Sequence, residues 1–232
     1  MTDDSGEPTT PIRVLLADDE PGIRAGLRLV LQHAEDITVV AEAANGAEAV
    51  AEAARTPVDV ALVDIRMPVL DGLAAIDQLI RLDPRPAVVM LTTFGEEENV
   101  TRALRAGASG FLLKDDGPHE LISAVRAAAA GDAVLSPGVT GLVVKRMLEG
   151  DPPVGPDDPE AEAAHRIAAL DPPEREALAL LGAGMPNLEI ALRLGISPDS
   201  VKTVVDTLLD RTGADTRVQA ALLATRAGLV PR

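Results

Sequence analysis

Val60-Ala61-Leu62-Val63-Asp64-Ile65-Arg66-Met67-Pro68, with Asp71-Gly72 close behind, is an apolar run of strand length that delivers one carboxylate to its C-terminal end. Pro68 and Asp71-Gly72 then turn the chain into a helical pattern. In an open parallel α/β sheet, ligands bind in the crevice beyond the carboxyl ends of the strands, so Asp64 stands in the functional zone. Other strand ends supply partners. Ile12–Ala17 runs into Asp18-Asp19-Glu20, Ala87–Leu91 into Thr92-Thr93, and Gly110–Leu113 into Lys114. Taken singly, an acid after a strand is often a helix cap and a threonine there a turn residue. Three acids, a hydroxyl and an ammonium converging from four strand ends suit Mg²⁺ plus a phosphoryl group: carboxylates ligate a hard cation, while Thr92 and Lys114 hold phosphate oxygens.

Outward from that stretch, strand and helix periods alternate. Strands are expected at 12–17, 37–42, 58–63, 87–91 and 110–113, and helices at 20–33, 45–54, 72–82, 96–106 and 118–130, which makes a (βα)5 unit over residues 12–132. The strands are nearly continuous aliphatics joined by short connections, as in a parallel sheet covered on both faces. Residues 1–11 are polar, acidic and proline-containing, and read as a disordered tail. A helical pattern opens at Ser136-Pro137-Gly138 and continues to Leu148, and 150–159 is proline-rich, so 133–160 reads as a linker helix followed by an extended linker.

Residues 161–232 read as a small all-α domain. Asp171-Pro172-Pro173-Glu174 is a capping-box pattern with proline at the first helical position, launching a helix to about Leu181. A short helix through Leu194, the turn Gly195-Ile196-Ser197, a helix from Pro198 to about Leu209 and a last helix over 215–227 follow. Helix, tight glycine turn and capped helix is the layout of a helix-turn-helix.

Composition narrows the chemistry. The 232 residues are 47% apolar, enough for two packed domains. There is no apolar run near the roughly 18 residues of a membrane span, and the first residues lack the basic flank and apolar stretch of a signal peptide, so the expectation is a cytoplasmic protein with no membrane partner. The chain has no cysteine, and His33, His119 and His165 are scattered, which argues against zinc chemistry. A net charge of −16 argues against a general polyanion binder, so any DNA contact must be local.

The Asp18-Asp19 pair, Asp64-x-x-Met67-Pro68-x-x-Asp71-Gly72, Thr92 and Gly107-Ala108-Ser109-Gly110-Phe111-Leu112-Leu113-Lys114, in that order, resemble the receiver domain of a two-component response regulator. Glu174-Arg175-Glu176, Asn187-Leu188-Glu189-Ile190-Ala191, Ser200–Val205 and Arg217-Val218-Gln219-Ala220 resemble the helix-turn-helix effector of the NarL/LuxR class. The resemblance implies a flavodoxin-like fold with strand order 2-1-3-4-5 followed by a DNA-binding domain. It implies that Asp64 accepts a phosphoryl group from a sensor histidine kinase with Mg²⁺ held by Asp18, Asp19, Asp64 and the Arg66 backbone carbonyl. Thr92 and Lys114 would assist, and Thr92 with Phe111 would form the switch. Arg66 and Phe94 resemble positions flanking the water that attacks in dephosphorylation. Homodimerisation on phosphorylation, binding to operator DNA and transcription regulation are the implied output, with no enzymatic activity beyond assisted phosphoryl transfer and autodephosphorylation.

The second domain departs from that class. From Asp199 to Asp210 there is one lysine against three aspartates, and residues 160–232 carry eight basic against ten acidic groups. Carboxylates facing phosphate repel, although one can read a cytosine amino group. Lys202, Thr203, Asp206, Thr207 and Arg211 are the candidate DNA contacts. The alternative is a receiver whose degenerate helix-turn-helix acts through protein contacts. A small-molecule aspartyl-phosphate hydrolase would need a second acid beside the nucleophile, where this chain has Arg66.

Overall fold

A computed structural model describes residues 10–92, 97–135, 166–214 and 216–230. The expected linker helix at 136–148, most of the expected tail, and Phe94 lie outside the described residues.

The first unit is a parallel sheet of order β2-β1-β3-β4-β5-β6. Its strands are β1 (Ile12–Ala17), β2 (Ile37–Ala43), β3 (Val60–Asp64), β4 (Ala87–Thr92), β5 (Gly110–Leu113) and β6 (Val134–Leu135). The helices between them are α1 (Pro21–Leu31), α2 (Gly46–Arg55), α3 (Gly72–Leu79), α4 (Glu97–Ala106) and α5 (Pro118–Ala129). Helices α1 and α5 pack together on one face, while α2, α3 and α4 pack in sequence with one another. Alternate strand residues feed the two sides. Val14, Leu16, Leu62, Val89, Leu91 and Leu112 bury against Leu31, Leu121 and Val125 in one cluster, and Leu15, Val63, Met90 and Phe111 are equally buried on the intervening positions.

The sixth strand falls in the segment that the sequence reading gave to the linker, and it pairs Val134 with Gly110 and Leu135 with Phe111. Helix α3 stops at Leu79 rather than near 82, because Pro84 disfavours helix in the residue before it and the chain tightens through Arg81 N–H to Gln78 O and Leu82 N–H to Leu79 O. Asp64 is the last residue of β3, so the strand reaches one position further than expected.

The second unit has its own core, including Leu170, Leu178, Leu181, Ile190, Val201, Val205 and Leu208. Its helices are α6 (Pro172–Gly182), α7 (Asn187–Leu194), α8 (Pro198–Thr212) and α9 (Arg217–Arg226). The capping box is formed, with Asp171 accepting from Glu174 N–H and Glu174 accepting from Asp171 N–H. Gly195 caps α7 with φ of 67°, a left-handed conformation that glycine enters without steric cost, and Ser197 then caps α8. Among the described residues there is no helix long and apolar enough to cross a membrane.

Candidate functional site

The sheet order makes β1 and β3 neighbours, and their C-terminal ends bring the acids together. Asp18, Asp19 and Asp64 each offer a carboxylate oxygen, and these oxygens lie within 4.8 Å of one another. Asp18 is fully buried, Asp64 is 6% exposed and Asp19 is open to solvent. Lys114, at the end of β5, reaches across with Nζ 2.8 Å from Asp18 Oδ2 and 3.0 Å from Asp64 Oδ2. Its side chain is itself largely buried.

The electrostatics follow from that burial. Asp64 has its pKa raised, foremost by desolvation, with a further push from Asp18, while Lys114 and the Ile65 backbone N–H pull it down. Burial lowers the Lys114 pKa, but its contacts with Asp18 and Asp64 outweigh this and leave it raised. One ammonium thus contacts two of the three clustered carboxylates. Asp18 Oδ2 is close to that ammonium yet has no hydrogen bond of proper geometry among the described residues, so a buried acceptor is left with unused capacity. Three clustered carboxylates, one with an unfilled lone pair, are a donor set that fits a hard divalent cation.

Local structure holds these groups in place. Asp18 Oδ1 accepts from Glu20 N–H, which fixes the turn after β1. Arg24 on α1 donates from Nη1 to the Asp18 carbonyl at 2.5 Å and faces Glu42 on β2, which Arg28 also engages at 2.6 Å. Sequence reasoning missed Arg24; its signal was a basic residue one helical turn into the element that follows the acids. On the other side, Asp71 caps α3 by accepting from Ala74 N–H, and Gly72 N–H donates to Ile65 O. A Cβ on Gly72 would stand 2.1 Å from the Asp64 carbonyl oxygen, so only glycine lets α3 start this close to β3.

Of the remaining expected residues, Thr92 and Arg66 stand at the same end of the sheet, while Phe111 lies further back in β5, paired with Met90. Thr92 closes β4 and is buried, and its carbonyl accepts from Lys114 N–H at 2.8 Å. Phe111 is wholly buried one strand over. Arg66 is exposed, and it lines an open cavity of about 490 Å³ with Asp19, Met67, Asp71, Asn99 and Arg102.

In the second unit, α8 buries Val201, Val205, Leu208 and Thr212 and exposes Lys202, Thr203, Asp206, Thr207, Asp210 and Arg211. These exposed residues do not act alike. Arg211 turns back to pair with Glu174 and to donate to Ala169 O, and Thr207 donates its hydroxyl to Thr203 O. Lys202 and Asp206 sit one turn apart on the open face.

Comparison with known proteins matches both units. Residues 14–126 match the response regulator receiver domain, and residues 168–224 match the luxR family of bacterial regulatory proteins. The chain is 37% identical to the uncharacterized transcriptional regulatory protein YxjL of Bacillus subtilis, over 94% of this chain and 97% of the relative. It is 35% identical to the nitrate/nitrite response regulator NarL of Escherichia coli, over 91% and 94%. The crystal structure of the response regulator ChrA, from a heme-sensing two-component system, aligns with a TM-score of 0.51 at 34% identity, over 95% of this chain and 99% of that one.

Proposed function

Because the chain belongs to the NarL/LuxR family of response regulators, with a receiver domain and a luxR-type DNA-binding domain, we propose that it is a phosphorylation-controlled transcription regulator in which Asp64 is the phosphoryl acceptor. The observation that carries this reading is the arrangement of Asp64, Asp18 and Lys114 at contact distance with Asp19 beside them. Asp18, Asp19 and Asp64, with the Arg66 carbonyl, would hold Mg²⁺, which neutralises charge on the phosphoryl oxygens when bound.

The chain's own residues account for the rest of the transfer. An Asp64 carboxylate oxygen attacks the phosphorus of a kinase phosphohistidine, the P–N bond breaks, and the imidazole leaves with the bonding pair. Lys114 already contacts Asp64 and is positioned to pair with the oxygens of the new acyl phosphate. The transfer adds a second negative charge and new acceptors at a buried site. Thr92 and Phe111 form the switch pair that responds, with α4 as the surface that changes. Dimerisation then presents two copies of α8 to a pseudo-palindromic operator with half-sites about one helical turn apart.

The test is selection of genomic DNA fragments by the purified protein at near-physiological salt, with and without Mg²⁺ and a small acyl phosphate, beside Asp64→Asn. The expected outcome is a shared palindromic site whose recovery strengthens only when Asp64 can be phosphorylated. The exposed carboxylates of Asp206 and Asp210 favour a second reading, output through protein contacts. Confirmed phosphorylation by intact mass with no DNA recovered would select it.

A further inference from the structure

We propose that Asp206 is a specificity-determining residue that reads cytosine, accepting a hydrogen bond from the exocyclic amino group in the major groove. The inference rests on the DNA-binding reading of α8 given above.

Burial of Val201, Val205, Leu208 and Thr212 fixes the rotation of α8, which leaves Thr203, Asp206 and Asp210 on its open face with Lys202 toward one edge, Asp206 lying a turn closer than Asp210 to the N-terminal end that meets base edges in this motif. Two neighbouring polar groups are already committed, Thr207 to the Thr203 carbonyl and Arg211 to Glu174 and the Ala169 carbonyl. Asp206 is exposed, and its side chain makes no hydrogen bond or ion pair among the described residues. Its carboxylate is free to face whatever the helix meets.

An ionised carboxylate offers acceptors only. Facing phosphate it would repel, so a helix docked in the major groove must aim it at a base-edge donor. Only cytosine N4 and adenine N6 provide one there, and adenine sets its N7 acceptor beside the amino group, where a second carboxylate oxygen would be opposed. Cytosine presents the amino donor without that adjacent acceptor. Lys202 lies four residues earlier, about 6 Å along the axis, and supplies the positive charge that lets an acidic side chain approach the duplex. Asp206 therefore converts a general repulsion into a preference for one base.

The experiment uses the full chain, phosphorylated at Asp64, in selection from randomised DNA, followed by titrations on the selected site and its single-base variants. Asp206→Ala and Asp206→Asn are compared with the wild type. In a further site, the cytosine is replaced by a pyrimidin-2-one nucleotide, which lacks the exocyclic amino group. The expected result is one cytosine per half-site favoured about tenfold or more by the wild type, with affinity lost on removing the amino group. Asp206→Ala should lose that preference at that position alone, and Asp206→Asn should move it toward adenine. Uniform tightening of Asp206→Ala on every sequence, with base preference unchanged, would mean that Asp206 only repels and would overturn the proposal while leaving DNA binding intact. Recovery of no DNA by the phosphorylated wild type would remove the DNA-binding reading and the proposal together.

Discussion

Replacing Gly72 with alanine should damage the receiver far beyond the volume of one methyl group. The new Cβ would lie 2.1 Å from the Asp64 carbonyl oxygen and 3.0 Å from Met90 Cε. Restoring an ordinary 3.4 Å contact needs a movement of about 1.3 Å, the difference between the two distances. Asp64 cannot yield, since β3 is hydrogen-bonded between β1 and β4. Helix α3 must retreat, which stretches the 3.0 Å bond from Gly72 N–H to Ile65 O beyond useful length. Overpacking costs about 1–3 kcal/mol, and a buried N–H left without a partner costs about 1–3 kcal/mol more. The sum is about 2–6 kcal/mol. Gly26→Ala is the control: nothing lies within 4 Å of its Cβ, it sits inside α1, and it should stabilise by about 0.5–1 kcal/mol. The chain has no tryptophan or tyrosine, so urea unfolding is best followed by circular dichroism, with hydrogen exchange of the β3 amides reporting on the receiver alone. A Gly72→Ala protein within about 0.5 kcal/mol of wild type, or a Gly26→Ala protein as damaged as Gly72→Ala, would refute the reasoning.

Asp64→Asn should abolish phosphoryl uptake, read by intact mass, and stabilise the metal-free chain by about 0.5–2 kcal/mol at neutral pH. The sign follows from a folded-state pKa raised by burial: the cost of the charged form is fully present above that pKa and absent below the unfolded value, so the gain over wild type should shrink on acidification. Lys114→Met leaves Asp18 and Asp64 buried without their ammonium, and should cost about 3–5 kcal/mol in chelator. Millimolar Mg²⁺ should recover more stability in that variant than in wild type, and equal recovery in both would count against a shared electrostatic site. Asp171→Ala removes the carboxylate that accepts from Glu174 N–H, while the residue-171 N–H can still donate to Glu174, and should lower the stability of the second unit by about 1 kcal/mol, with exchange in β3 unchanged.

The acids, the hydroxyl and the ammonium were legible because each is a polar residue placed at the end of an apolar run, and parallel strands put all such ends on one edge. What was not legible depends on rotations and distances that a local pattern does not carry. Arg24 reads as one more charge on α1; its role appears only when the helix turns it toward the Asp18 carbonyl. Arg211 reads as a DNA contact from its place on α8, but Glu174, 37 positions away in sequence, draws it back into the domain. The two residues of β6 are too few to show a period. The terminus of α3 was set by tightening of its last turn ahead of Pro84, where the apolar pattern still ran on.

The contributions to the acid cluster come from β1, β3 and β5, spanning Asp18 to Lys114, and that spacing bears on how the domain folds. Pairing β1 with β3 gathers carboxylates whose mutual repulsion opposes collapse, and the ammonium that relieves it arrives only with the fifth strand. Closing so long a loop before its reward is slow by topology alone, and the charge pattern adds to that barrier. During synthesis from the N-terminus, a chain that ends before Lys114 has its acids but no counter-charge. The charge balance of the acid cluster is therefore completed late, when β5 docks.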